Sequence, residues 1–150
     1  MRVVLQRVLR ASVIVAGEMV GSISQGLLAF VGVGEGDTED LARRLAVKAA
    51  EMRIFNDTEG RFNLSVQDVD GGVLVISQFT LHASTKKGNR PSYVRAARPE
   101  VAVPLYEQFL KKLAADIGRP IQTGEFGADM QVALVNDGPV TILIDTKNRE

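Results

Sequence analysis

The chain contains no cysteine, no tryptophan and only one histidine among its 150 residues. Without cysteine, disulfides, thiolate nucleophiles and zinc–thiolate sites are excluded, and the absence suits a cytoplasmic protein. The formal net charge is zero at pH 7, so attraction to a polyanion must come from a local cluster of charges. No group of His, Asp and Glu has convincing metal-ligand spacing, and we expect neither a metal ion nor another cofactor.

Long hydrophobic runs are also missing. The first ten residues, MRVVLQRVLR, alternate basic and apolar side chains and have no uninterrupted apolar stretch of the kind found in signal peptides. No later run is long enough to cross a bilayer. The composition, 45% hydrophobic and 24% charged, is ordinary for a globular protein. We therefore expect one domain, residues 1–150, in the cytoplasm and without a membrane partner.

The N-terminal part of the chain predicts three strands. Apolar residues alternate with polar ones over a long first segment, at Val3, Leu5, Val13 and Val15. Turns at Gly17-Glu18 and Gln25-Gly26 separate it from residues 19–24 and 27–33, which also have strand character. Three strands joined by tight turns indicate an antiparallel meander.

Two later segments predict helices. Residues 38–55 carry apolar side chains at helical spacing, with Asp37 or Thr38 as the N-cap. A second helix runs to about Ile117 and stops at Gly118, with either Pro99 or Pro104 in its first turn. Residues 62–66, 121–126, 130–136 and 140–145 are candidate strands, so we expect a mixed sheet of about seven or more strands with two helices on one side.

The most informative stretch follows Gly71-Gly72. Residues 73–76 are wholly apolar, which is typical of a strand buried on both faces. The next residues change character at once and are called here the strand-end cluster: Ser77, Gln78, Phe79 and Thr80. Buried polar groups cost free energy unless they are paired, and α/β proteins place their chemistry at the ends of buried strands. We therefore predict the catalytic site at this cluster.

A basic segment follows the strand-end cluster. No acidic residue lies between Asp70 and Glu100, a stretch that contains Lys86, Lys87, Arg90, Arg95 and Arg98. The Gly and Pro residues of 86–92 indicate an exposed loop. A charge run is most often only a solvated face, but its position beside a predicted site favours contact with phosphates. A non-catalytic RNA-binding module that uses the Lys86–Arg98 patch is therefore an alternative function.

The second informative stretch is Asn136-Asp137-Gly138-Pro139-Val140-Thr141. Asp-Gly between apolar strands is an ordinary hairpin signal. A hairpin does not explain Pro139, which removes a backbone donor where the returning strand should begin. Gly-Pro also admits the cis peptide, which turns successive carbonyls in a direction that a trans bond forbids.

Together, the two stretches resemble the paired signatures of the D-aminoacyl-tRNA deacylases: Ser77-Gln78-Phe79-Thr80-Leu81 and Asn136-Asp137-Gly138-Pro139-Val140-Thr141. The resemblance covers essentially the whole chain, including residues 5–8, 88–92 and 128–132. It implies hydrolysis of the ester of D-aminoacyl-tRNA, extending to glycyl-tRNA mischarged on tRNA-Ala. It also implies an α/β fold of mixed, largely antiparallel β-sheets, barrel-like and three-layered, with two main helices packed on one side.

The resemblance also implies roles for individual residues. Gly138-Pro139 would form a cis dipeptide that excludes L-amino acids, in a homodimer where each active site is completed by the partner's Gly-Pro motif. Arg7 would hold that motif, and Asn136 and Met130 would belong to the substrate-binding set. The strand-end cluster would be catalytic, and Lys86, Lys87 and Arg90 would contact the tRNA.

The mechanism has two candidates. Main-chain donors near Phe79 and Thr80 could assist attack by water, with help from the 2′-hydroxyl of the substrate adenosine. Thr80 could instead be a nucleophile, although no convincing base accompanies it; a general esterase with a Thr nucleophile is disfavoured for the same reason. His82 would lie on the face of Thr80 in an extended strand, but a lone histidine is more often structural.

Overall fold

The computed structural model describes all 150 residues, Met1–Glu150. Eight strands and two α-helices follow one another along the chain, with a short 3-10 helix, Phe79–His82, between β6 and α2. The elements are β1 (Arg2–Val15), β2 (Glu18–Ile23), β3 (Gly26–Gly32), α1 (Glu39–Glu51), β4 (Phe55–Asn56), β5 (Phe62–Leu64), β6 (Gly72–Ser77), α2 (Pro99–Ile117), β7 (Gln122–Thr123) and β8 (Met130–Asp145). The 3-10 helix is called below the 79–82 turn.

The main sheet is organised around β1. Its first half, Arg2–Val8, pairs antiparallel with β3, and its second half, Ala11–Val15, pairs antiparallel with β2. β8 pairs antiparallel with β1 along its other edge, while β3, β6 and β7 run parallel to one another. The sheet is therefore mixed and largely antiparallel.

The sheet curls until it is nearly closed. β2 returns over the ends of β6 and β7, so closely that a Cβ added at Gly21 would lie 3.0 Å from the carbonyl oxygen of Thr123. The expectation of a barrel-like α/β fold with two helices on one side is confirmed. No helix combines the length and the apolar character needed to span a membrane.

The predicted meander is wrong, because β3 pairs with β1 and not with β2. With 14 residues, β1 is long enough to accept two partners one after the other on the same edge. The prediction of two separate strands at 130–136 and 140–145 is also wrong. Both segments belong to the single strand β8, which runs along β1 on either side of a bulge, so Asp137-Gly138 is not a hairpin turn.

The helices begin as the sequence indicates. Thr38 is the N-cap of α1, since its hydroxyl accepts from the Leu41 N–H at 3.3 Å. α1 ends at Glu51, earlier than the predicted Phe55, which is instead the first residue of β4. Pro99 occupies the first turn of α2 and Pro104 lies inside it, while Gly118 ends the helix in the left-handed region at φ +77°.

Alternate residues of the parallel strands face two different cores. Leu27, Val73 and Val75 pack beneath the helices, where Phe109 of α2 is fully buried. Leu28, Leu74 and Ile76 fill the interior of the barrel. β6 is therefore buried on both faces, as its unbroken apolar run predicted. Polar side chains first occur at the end of the strand, where the burial stops.

Candidate functional site

A cavity of about 500 Å³ opens where β6 ends. The strand-end cluster forms one wall, and Arg98, Pro99, Ala102 and Tyr106 at the start of α2 form another. The segment before β8, from Phe126 to Ala128, and Met130 complete it. This cavity is called below the site pocket. Its lining is mostly apolar with a few polar groups at one end, which is typical of small-molecule sites.

The strand-end cluster is held in a defined geometry. The Gln78 N–H donates to the carbonyl oxygen of Val31 at 2.7 Å, and the Gln78 side-chain amide donates to the Thr80 hydroxyl at 3.1 Å. The chain then turns into the 79–82 turn. The first N–H groups of a helical turn have no acceptor within it, so the amides of Phe79 and Thr80 are donors that the turn itself leaves free.

An aromatic pair forms the rim of the site pocket. Phe79 and Tyr93 pack edge to face, with ring centroids 5.2 Å apart and an angle of 71° between the rings. Both stay accessible, with 56% of Phe79 and 40% of Tyr93 exposed. An exposed aromatic face of this kind can stack on a nucleobase.

Tyr106 lies in the inner wall of the site pocket. Its hydroxyl donates to the carbonyl oxygen of Val75 at 3.3 Å, and its ring packs on Phe126. Burial raises the pKa of Tyr106 far above its usual value. The phenol therefore stays protonated even in alkaline solution, and its one proton is committed to the Val75 carbonyl.

The curvature of the barrel brings Met130 to this site. Met130 pairs with Val15 at the far end of β1, yet its sulfur and the Ile76 side chain both lie against Gly124. The first residue of β8 thus contacts the end of β6. The structure brings Met130 together with the strand-end cluster, although the two are distant along the sheet.

The Gly138-Pro139 motif lies elsewhere. It forms the bulge of β8, where four residues, 137–140, stand opposite the single residue Arg7 of β1. The peptide bond is cis, and both residues are exposed. Opposite Arg7, three strand spacings measured along the sheet, about 14 Å in all, separate β8 from β6. Within one chain, Gly138 and Pro139 are not part of the site pocket.

Arg7 and Asn136 hold this bulge in place. The buried Arg7 guanidinium donates to the carbonyl oxygens of Asp137 at 3.1 Å and Ile54 at 2.9 Å, and lies over the ring of Phe62. The Asn136 side chain accepts from the Val140 N–H at 3.2 Å and donates to the Thr141 hydroxyl at 3.0 Å. The bulge is therefore fixed at both of its ends.

Position 138 accepts only glycine without rearrangement. Its φ of +133° is a conformation that L side chains rarely adopt. A Cβ there would lie 2.7 Å from the Val140 side chain and 2.9 Å from the Val140 nitrogen. At Gly138 and Pro139 the surface of the bulge consequently consists of backbone and the proline ring, with no side chain at Gly138.

The basic loop extends beyond the 79–82 turn. Ser84 and Ser92 exchange backbone hydrogen bonds of 2.7 and 2.9 Å and close the loop at its base. Lys86, Lys87 and Arg90 are all exposed at its tip, and none of them forms an ion pair. Tyr93, on the rim of the site pocket, follows directly.

His82 does not lie on the face of Thr80, because the chain is a 3-10 helix here and not an extended strand. Its ring is buried, and Nε2 donates to the carbonyl oxygen of Gly32 at 3.0 Å. Burial lowers the pKa of His82, so the neutral ring predominates at pH 7. This geometry agrees with the structural role expected of a lone histidine.

Among the lining residues that were not predicted to belong to the site are three aromatic ones: Tyr93, Tyr106 and Phe126. Tyr93 follows the basic loop directly, and this position was the only sign in the sequence that it belongs to the site. Tyr106 has the spacing of an ordinary core residue of α2, and Phe126 follows a two-residue strand. Only the folded chain could identify them as pocket residues.

The fold and the site pocket define a mixed α/β protein that can hold a ligand at the end of its buried strand, beside free backbone N–H donors. The sequence profile of the family described as D-Tyr-tRNA(Tyr) deacylase matches residues 4–145. The chain belongs to this family of hydrolases.

Full-length relatives and solved structures agree with that assignment. Proteins named D-aminoacyl-tRNA deacylase from Akkermansia muciniphila and Flavobacterium johnsoniae are 59% and 57% identical over 150 residues, the whole of each chain. The structure named c-Myc DNA unwinding element binding protein is 40% identical, with a TM-score of 0.92 over 97% of this chain and 99% of that one. A probable eukaryotic D-amino acid tRNA deacylase, 17% identical, shares the fold with a TM-score of 0.79 over 95% and 97% of the two chains.

Proposed function

We propose that the protein hydrolyses the ester between a D-amino acid and the terminal adenosine of tRNA, and that it also clears glycyl-tRNA mischarged on tRNA-Ala. The observation that carries this proposal is the 79–82 turn, whose free amides border an apolar pocket in a chain 59% identical to a named D-aminoacyl-tRNA deacylase. Because charged tRNA is the substrate of translation, the enzyme acts as a proofreader in the cytoplasm.

The proposed reaction depends mainly on backbone amides and requires few side-chain groups. Water attacks the ester carbonyl carbon, and the amides of Phe79 and Thr80 stabilise the developing oxyanion. The carbon–oxygen bond to the ribose then breaks, and the ribose oxygen takes a proton, so that free D-amino acid and tRNA leave. Loss of one such donor can slow a reaction by roughly 100- to 1000-fold. The adenosine 2′-hydroxyl is adjacent to the esterified oxygen on the same ribose, and it assists the attacking water.

The rim of the site pocket binds the nucleoside of the substrate. The exposed faces of Phe79 and Tyr93 offer a stacking surface for adenine, and base–aromatic stacking contributes about 1–3 kcal/mol per base. Ser77 and Gln78 supply polar contacts at the end of β6, and Met130 closes the far wall. Lys86, Lys87 and Arg90 contact phosphates of the tRNA from the basic loop.

Selection against L-amino acids comes from the backbone of Gly138 and Pro139. A rigid bulge held by Arg7 and Asn136 cannot move aside for an L side chain as a flexible side chain can. Hydrogen or a D side chain at the same carbon avoids the collision. A site built from backbone is indifferent to side-chain identity, which suits an enzyme that acts on many D-amino acids.

The two halves of this site belong to different subunits of a homodimer. Gly138 and Pro139 are exposed and lie outside the site pocket of their own chain, which leaves them free to enter that of a second copy. The outer edge of β8 is unpaired over 16 residues and carries the exposed Leu143. Long open strand edges are normally covered, and a second copy would cover this one.

The test is an assay with four substrates: D-aminoacyl-tRNA, glycyl-tRNA, L-aminoacyl-tRNA and free aminoacyl esters. We expect release of the amino acid from D-aminoacyl-tRNA and glycyl-tRNA, and none from L-aminoacyl-tRNA. An RNA-binding module would bind tRNA and hydrolyse nothing. A general esterase would cleave the free esters and ignore chirality. Either result would reject the proposal.

A further inference from the structure

A second cavity of about 410 Å³ lies beside the site pocket and has no hydrophobic residue in its lining. It is called below the polar groove. Side chains from the N-terminus, the turn after β3, the segment before α2 and the end of β8 meet there. An apolar ligand would find no apolar surface to bury in this cavity, whereas a charged ligand could bond to its polar groups. The lining therefore suits a charged ligand.

The polar groove has an excess of positive charge. Its cations are Arg2, Arg95 and Lys147, and its carboxylates are Glu35 and Asp145. Asp145 is committed to Arg2, whose Nε donates to it at 2.8 Å, and to the backbone amide of Lys147 at 2.8 Å. Arg95 is exposed and has neither an ion pair nor a side-chain hydrogen bond to the protein.

The groove is rigid on the sides where its cations arise. Arg2 also donates to the carbonyl oxygen of Leu81 at 2.7 Å, which joins it to the 79–82 turn. Lys147 donates through Nζ to the carbonyl oxygen of Glu35 at 2.9 Å. The Glu35 N–H in turn donates to the carbonyl oxygen of Arg95 at 2.8 Å. The three residues are thus linked through one hydrogen-bonded framework, Arg2 and Lys147 by their side chains and Arg95 by its backbone carbonyl.

The polar groove and the site pocket share two walls. Along the first wall, Thr80 lines the site pocket and His82 lines the groove. Along the second wall, Tyr93 and Ala96 line the site pocket and Arg95 lines the groove. A chain of phosphates whose last nucleoside occupies the site pocket therefore has the groove as a neighbouring anion site.

We propose that the polar groove binds phosphodiester groups of the tRNA strand that precede the terminal adenosine, with Arg95 and Lys147 as the phosphate contacts and Arg2 fixed behind them. The proposal rests on the proposed function, because it takes the terminal adenosine to lie in the site pocket. Such contacts position the substrate without reading its sequence, and they add to those of the basic loop.

The test compares a long and a short substrate. With D-aminoacyl-tRNA, the double variant Arg95→Gln/Lys147→Gln should raise KM about tenfold, as expected when charge-assisted hydrogen bonds are removed, with kcat unchanged. The slope of log affinity for deacylated tRNA against log salt should become shallower by about 0.7 for each phosphate that the variant no longer neutralises. With a D-amino acid esterified to adenosine alone, the variant should match the wild type.

Two further variants serve as controls. Glu35→Gln removes the opposing carboxylate and should lower KM for D-aminoacyl-tRNA. Lys111→Gln removes an exposed cation of α2 that does not line the groove, and it should change neither constant.

The outcomes separate this proposal from the proposed function. A wild type that hydrolyses neither substrate rejects the proposed function, while binding of deacylated tRNA still tests the groove. An active wild type with an unchanged KM and salt slope in the double variant would overturn the groove proposal alone. So would an equal decrease in activity on the adenosine ester, or inorganic phosphate that occupies the groove without weakening tRNA binding.

Discussion

At the scale of single residues, Thr80 and Gly138 probe different halves of the proposed site. Thr80 offers a hydroxyl that is already bonded to Gln78, and a backbone amide at the start of the 79–82 turn. Gly138 offers no side chain at all, and its surroundings exclude one. In the proposed mechanism the hydroxyl of Thr80 is dispensable, whereas the absence of a side chain at Gly138 is essential.

Thr80→Ala should therefore retain measurable deacylation of D-aminoacyl-tRNA, because the amide donor remains. Gly138→Val should abolish it, because the strained backbone and the contact with Val140 must both rearrange. Initial rates with one charged tRNA measure both variants. Gly17→Ala is a matched control, since Gly17 also has positive φ, at +81°, but has open space around it.

A fully inactive Thr80→Ala that still folds and binds tRNA would favour Thr80 as the nucleophile. Wild-type rates and wild-type chirality in Gly138→Val would contradict the role of the bulge in selection.

At the scale of elements, the side chain of His82 attaches the 79–82 turn to β3. The buried ring donates to the carbonyl oxygen of Gly32, and the groups that surround it are the Met1 ammonium, Arg2 and Asp37. The ammonium of Met1 and Asp37 form an ion pair of 2.8 Å with no exposure. A positive charge on His82 would therefore enter a buried site that is already ionised.

This arrangement predicts acid sensitivity of the fold. Burial lowers the pKa of His82 below the value of about 6.5 that it has when unfolded. Between the two pKa values the unfolded chain binds more protons, so the free energy of unfolding falls as the pH drops below about 6.5. Above that pH, His82 contributes no pH dependence.

The measurement is denaturant unfolding between pH 7 and pH 5. His82→Gln keeps a side-chain donor for Gly32 and should show a smaller loss of stability with acid than the wild type. The aspartates with lowered pKa values, including Asp145, titrate at lower pH and do not interfere. Equal pH dependence in both proteins would refute the assignment to His82.

At the scale of the whole molecule, the separation of the two motifs decides how an active site can form. The site pocket has Ser77–Thr80 and Met130 but lacks Gly138 and Pro139. A homodimer with two-fold symmetry makes two equivalent contacts, so one such interface would complete both sites at once. Activity should then require the assembled dimer.

Mixing two inactive chains tests this arrangement. One chain carries Gly138→Val, and the other has a pocket blocked by Ala128→Trp, at a small, half-buried residue that lines the site pocket. After subunit exchange at equal concentrations, about a quarter of the wild-type activity should return, since half of the dimers are mixed and each has one complete site. No recovery despite demonstrated exchange would mean that the two motifs do not share a site.

Local sequence predicted the features that depend on neighbouring residues. The apolar run before Ser77 indicated a doubly buried strand, Thr38 was one of two expected caps, and Gly118 was the expected stop of α2. Each follows from the chemistry of a few adjacent residues. The roles of the strand-end cluster and of Arg7 stay predictions, although Arg7 does bind the bulge that contains Gly138.

Only the tertiary structure decided which strands pair and which residues meet. It replaced the meander with two strands sharing one edge of β1, and it turned the expected Asp-Gly hairpin into a bulge of β8. It also brought Met130 to the end of β6. Strand pairing joins residues far apart in the chain, and its register depends on total burial and on the twist of the whole sheet. The sequence by itself determined most of the elements and the two motifs, whereas the strand pairing and the curvature of the barrel decided where each of them faces.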